Sequence, residues 1–169
     1  LYRIQQYERA AQAFRGAADM NPFNRDARLN LTNALFGAED WEGLIPAAEE
    51  LLGLDPLNGT VWIFMARAYS EMEQAEEAGR VFEEYQAIGY EIESLRLDGG
   101  AGGGAIVHGA LKNNTAEAGT TLTLRFHFGG QSGTEIGTID IRVQLPGPEE
   151  AVEFTGEFSS SDIVTGYSY

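Results

Sequence analysis

The chain has 169 residues, enough for one large or two small domains, and its 43% hydrophobic and 22% charged residues are those of a folded protein. Its 26 acidic residues stand against 11 basic ones, a net charge of −15 with Lys112 the only lysine, which excludes the cation clusters a nucleic-acid backbone requires and disfavours an anionic membrane surface. The absence of cysteine excludes disulfides, thiol catalysis and thiolate metal sites.

The first half, residues 1–92, is rich in Ala, Glu, Leu and Arg and carries 7 of the 21 glycines; it reads as helical. Pro22 and Pro56 are 34 residues apart and end the matching phrases "AADMNP" and "LLGLDP". Tyr7, Trp41 and Ala75 align at the same spacing, as do Ala10, Leu44 and Ala78; Phe14, Ala48 and Phe82; and Leu31 with Met65. Small residues at such columns let two helices cross closely, aromatics fill the gap, and the proline ends each unit. With Trp62, Ala66, Tyr69, Ala78 and Phe82 in order, the half resembles the tetratricopeptide repeat. The phase sets Leu1 at the late aromatic position of a first helix and residues 5–20 in its second. The chain therefore opens inside a repeat, and the expectation is that the native protein continues upstream, or that a partner or the β half caps the exposed end.

The resemblance implies a concave groove made by the first helix of each repeat. Carried over by position, it holds Asp26, Leu29, Asn33 and Phe36 from one repeat and Thr60, Ile63, Arg67 and Ser70 from the next. Asn33 and Arg67 suit a peptide backbone or carboxylate, and Leu29, Phe36 and Ile63 suit apolar anchoring. The alternative is that the β half or upstream residues fill the groove. The acidic runs Glu49-Glu50, Glu71/Glu73/Glu76/Glu77 and Glu83-Glu84 read as solvated helix faces.

From Glu93 the pattern alternates. Leu122, Leu124, Phe126 and Phe128 face one way with Thr123, Arg125 and His127 opposite; Ile139, Ile141, Val143 and Leu145 face in, with Asp140, Arg142 and Gln144 out. Further strands are predicted at about 92–97, 105–111, 151–158 and 163–169, and six short strands between Gly, Pro and Asn turns suggest an antiparallel Ig-like β-sandwich. "IVHGALKNNT", "LRFHF…SGTEIG", "LPGPEEAVEF" and the closing "VTGYSY" resemble in their order the FxLyD family, small β-sandwich modules of exported bacterial and archaeal proteins. Gly129 and Gly130 stand where that family usually has an aromatic and an aspartate. The resemblance implies no catalytic residue.

Residues 99–104 contain five glycines, and Gly100 to Ala105 fit the loose form G-x-G-x-x-A. A dinucleotide loop must open a helix whose N-terminus receives the pyrophosphate; here the run leads into "AIVHGAL", a strand, so a structural connection is the better reading. His108 and His127 are the only groups titrating near neutrality and lie on outward strand positions without a second histidine at metal spacing. The Asn-x-Thr triplets at Asn30, Asn58 and Asn113 matter only in a glycosylating host.

The sequence therefore predicts α+β architecture in separate domains: an α-solenoid of tetratricopeptide hairpins over 1–92 and an FxLyD-like sandwich over 93–169. It holds no catalytic motif and calls for no cofactor or metal. The two resemblances imply a protein–protein interaction scaffold, an accessory subunit on the periplasmic or extracellular side of a bacterial membrane, whose partners are subunits of a membrane-anchored complex. The alternative is a small-ligand or carbohydrate-binding module using Tyr167, Tyr169 and Phe128 at a sandwich surface. An uncovered strand edge near "GYSY" would suit addition to a partner sheet.

Overall fold

A computed structural model describes residues 2–169, the side chains of Tyr2 and Ala101 excepted, so Leu1 and its assigned aromatic position lie outside the description. Five helices precede six strands: α1 (Tyr2–Met20), α2 (Arg25–Ala38), α3 (Trp41–Leu52), α4 (Gly59–Glu71), α5 (Ala75–Ile88), then β1 (Tyr90–Gly99), β2 (Ala105–Asn113), β3 (Thr121–Gly130), β4 (Glu135–Gln144), β5 (Ala151–Phe158) and β6 (Val164–Ser168). The α+β class read from the sequence is the one observed. The chain divides into two compact units between Ala87 and Ile88, five residues before the compositional change at Glu93. The helical pattern stops there because Gly89 turns to φ 74°, and its carbonyl accepts from the amides of Asn114, Thr115 and Ala116.

Within the helical unit the period of 34 is written into the helix ends. Asn24 accepts from the amide of Ala27 at 2.9 Å and Asn58 from that of Val61 at 3.4 Å, so equivalent asparagines cap α2 and α4. Asp40 caps α3 through the Gly43 amide at 3.0 Å. Glu39 and Glu73, also 34 apart, take left-handed conformations at φ 60° and 61°. That conformation brings Cβ against the backbone, a cost glycine avoids. Glu39→Gly is therefore expected to stabilise the unit by about 1 kcal/mol, read as a rise in the midpoint of the helical circular-dichroism transition.

Two side-chain clusters hold the helices. Leu31, Ala34, Leu35, Leu44, Ala47 and Ala68 form one, flanked by Ala10, Phe14 and Phe64. Ala48, Leu51, Val61, Met65 and Val81 form the other. The rings of Phe36 and Phe64 stack at 3.9 Å and join α2 to α4, and Trp41 meets Phe36 edge-on at 5.5 Å. A buried ion pair ties the helix starts together: Arg25 Nε donates to Asp55 Oδ2 at 2.8 Å, and Asn58 Nδ2 donates to the same oxygen at 2.8 Å.

The β unit has two antiparallel sheets, of order β1-β2-β5 and β4-β3-β6. The alternation read from the sequence holds: Leu124, Phe126, Phe128, Ile141, Val143 and Leu145 are buried. Across the sheets Phe128 stacks on Phe158 at 4.5 Å and Phe126 meets Phe154 at 6.3 Å. Gly109 lies opposite Phe154 in the β2–β5 register, where a methyl group would enter that ring. Asn113, wholly buried at the end of β2, donates to the carbonyls of Ala116 and Pro146 at 3.0 and 2.8 Å and accepts from the Ala116 amide at 2.9 Å.

Candidate functional site

On α2 and α4 the eight positions carried over from the repeat divide into two groups. Asp26, Asn33, Thr60, Ile63, Arg67 and Ser70 are exposed; Leu29 and Phe36 are half-buried. Leu29 packs on the cluster of Val61 and Met65, and Phe36 is committed to Phe64 and Trp41, so both tie the two helices together. Ile63, the repeat counterpart of Leu29, is 51% exposed instead. Arg67 closes an i,i+4 ion pair with Glu71 at 2.5 Å, and Asp26 accepts from Arg25 Nη1 at 3.0 Å. Asn33 is exposed between them in sequence. The two helices thus present one apolar side chain, Ile63, among polar groups at matching repeat positions. Glu71, read from the sequence only as part of a solvated acidic face, is the partner of Arg67; the four-residue spacing on one helix was the signal for that pair.

The glycine run holds no helix N-terminus for a phosphate. Ala101–Gly103 is a single 3₁₀ turn between β1 and β2, with Gly102 and Gly103 at φ 76° and 124°. A Cβ on Gly103 would stand 2.8 Å from the carbonyl oxygen of Ser161, and one on Gly104 would enter the backbone of Phe158. The run is a close backbone contact with the β5–β6 connection.

The histidines are occupied on the strand faces. His127 Nδ1 lies 2.7 Å from Glu135 Oε2; His108 Nδ1 lies 3.3 Å from Thr155 Oγ1 and its Nε2 3.5 Å from Asp98 Oδ2. His108 sits beside a depression of about 390 Å³ that also involves Ser94, Arg96, Ala110 and Glu153. Arg125 makes a two-point bond to Asp140, at 2.7 and 2.8 Å. That bond holds the Asp140 carboxyl below the usual aspartate range, with Arg125, Arg142 and His127 adding Coulombic attraction. A depressed carboxylate contributes stability above its unfolded pKa, lost as the pH falls through the folded value. The expected result is an Asp140 carbon-13 titration with a midpoint below that of free aspartate, returning towards it in Arg125→Gln. An unchanged midpoint would dismiss the pair.

The aromatic-patch alternative is corrected by burial. Phe128 and Tyr167 are 0% and 2% exposed, and Tyr169 packs on Phe126 with centroids 5.2 Å apart. Alternation turned Phe128 and Tyr167 into the core, and Tyr169 is half-buried, so these three rings do not form an exposed platform for a sugar. Two of the glycosylation triplets serve the fold: Asn58 caps α4 and Asn113 is buried. Among the described residues no group of three or more His, Cys, Asp or Glu is placed to hold a metal, and no helix is long and apolar enough to cross a membrane.

No family model and no curated protein matches the chain. Two solved structures, MamA AMB-1 and MamA MSR-1, are each 29% identical to it, with a TM-score of 0.46. The matches cover 50% of this chain and 50% and 49% of theirs, so the chain spans about half the length of the solved structures it matches.

Proposed function

We propose that the chain is a non-catalytic protein–protein interaction scaffold, an extracytoplasmic accessory subunit that steadies a larger membrane-associated complex in the bacterial cell envelope. The observation that carries this reading is the repetition on α2 and α4: side chains at equivalent repeat positions, Asp26 with Thr60 and Asn33 with Arg67, stay exposed, and Ile63 offers an apolar anchor that its own core does not use. The envelope location is supported by the order of the FxLyD-like motifs, in which Gly109 and Asn113 have definite structural duties.

The test is crosslinking mass spectrometry on the complex isolated gently from native membranes. The reagent must be carboxylate-reactive, because Lys112 is the only lysine. Crosslinks from Asp26 or Glu71 to another polypeptide are expected. A chain that copurifies with nothing and yields only internal crosslinks would sink the proposal. For the partner so identified, Ile63→Asp is expected to weaken binding about tenfold or more, roughly 1.4 kcal/mol, as loss of a central apolar anchor does; isothermal titration calorimetry reads it.

A further inference from the structure

Two depressions adjoin on the helical unit and share one lining residue, Arg15. The first, about 290 Å³, lies where α1 meets Leu35 and Ala38 of α2. The second, about 220 Å³, lies where α1 meets Leu31 of α2 and Ala47 of α3. Together they make a trough with a floor of alanine and leucine side chains. It is separate from the exposed positions on α2 and α4: Leu31 and Leu35 stand roughly 160° around α2 from Asn33 at the pitch of an α-helix.

Charge gives this trough a polarity. Among the described residues seven cations form ion pairs, and Arg142 acts on Asp140. Arg3, Arg9 and Arg15, all on α1, have neither, although the chain carries 26 acidic residues. Arg15 does not close on Asp19, one turn away. Acidic side chains flank Arg15 in both depressions, Glu8 and Asp40 in the first and Asp19 and Glu50 in the second, although Asp40 also accepts from the Gly43 amide at 3.0 Å and Glu50 lies 3.8 Å from Arg28 Nε. Glu8, Arg15 and Asp19 share one face of α1, at intervals of roughly 10 and 6 Å along its axis. The surface reads acidic, basic, acidic.

We propose that this trough docks an amphipathic helix of a partner protein whose charges read the reverse, basic, acidic, basic. Apolar side chains of that helix fill the two depressions, and its central carboxylate takes the Arg15 guanidinium in a charge-assisted pair. Lysine or arginine one to two turns on either side meets the acidic ends. The like-charged alternative is repelled at three points, which gives the surface discrimination as well as attraction. The inference rests on the scaffold reading only in taking the ligand to be a protein; it names a second face and the chemistry of what binds there.

The test uses the whole chain and two synthetic 18-residue helices with one leucine face, capped at both ends. One carries a central glutamate flanked by lysines; the other carries a central lysine flanked by glutamates. In fluorescence anisotropy the first is expected to bind at least tenfold tighter than the second. Arg15→Glu is expected to weaken binding of the first helix at least tenfold and so to narrow the preference, with the helical circular dichroism unchanged because Arg15 is exposed. Equal binding of both helices, or no binding of either, overturns the proposal. Binding abolished by Ile63→Asp and indifferent to Arg15→Glu overturns it too, while supporting the α2/α4 scaffold reading. Charge-selective binding at Arg15, with only internal crosslinks in native membranes, leaves the trough standing and sinks the membrane-complex reading.

Discussion

Asp55→Ala is expected to destabilise the helical unit by about 3–5 kcal/mol, as breaking a buried ion pair on one side does. Asp55 is 0% exposed and one of its oxygens receives Arg25 Nε, Arg25 Nη2 and Asn58 Nδ2. Removing it leaves a buried guanidinium beside the exposed Asp26, and it loosens the asparagine that caps α4. Against a domain stability of roughly 5–15 kcal/mol, that loss is a large share. The double variant Arg25→Met, Asp55→Leu is expected to recover part of it, because two apolar side chains need no partner while Asn58 Nδ2 still loses its acceptor. Denaturant titration followed at the helical circular-dichroism band measures both. A single-variant loss below about 1 kcal/mol would show the pair to be solvated.

Asn113→Ala should have the second-largest effect, about 2–4 kcal/mol, this time on the β unit. The variant strands the carbonyls of Ala116 and Pro146 and the amide of Ala116 at a wholly buried position. Asn113→Asp keeps the acceptor but replaces the donating amide with an oxygen facing two carbonyls, and should be no better tolerated. Amide hydrogen exchange separates this from a global effect: β2 and the 146–150 turn should lose protection while α2 to α4 keep theirs. Equal loss in both units would contradict the assignment.

Much of the architecture was legible because it depends on periodicity. A 34-residue recurrence of aromatics, alanines and prolines named the helical hairpins, and strict alternation placed Phe126, Phe128, Ile141 and Val143 inside the sheets. What sequence could not supply was pairing between distant residues. Nothing local couples Arg25 to Asp55, thirty positions on, or tells that Phe36 lies flat on Phe64 while Ile63 faces out. The groove positions were recoverable as faces of helices but not as free or committed side chains: repeat mates Leu29 and Ile63 share a register and differ in burial, because only one has a neighbouring helix over it. The trough at Arg15 left no motif at all. It follows from which cations fail to find a carboxylate, and that is settled only when the helices are assembled.

The glycine run also bears on the order in which the β unit is built. Gly103 and Gly104 fit only against backbone at 158–162, more than fifty residues later in the chain. The β1–β2 turn can start to form locally, yet its final shape waits until β5 and the connection beyond it arrive. Contacts of such sequence separation carry the loop-closure entropy that slows folding. The segment whose composition most suggests slack is therefore held by a long-range backbone contact, and it fastens the beginning of the sheet unit to its end.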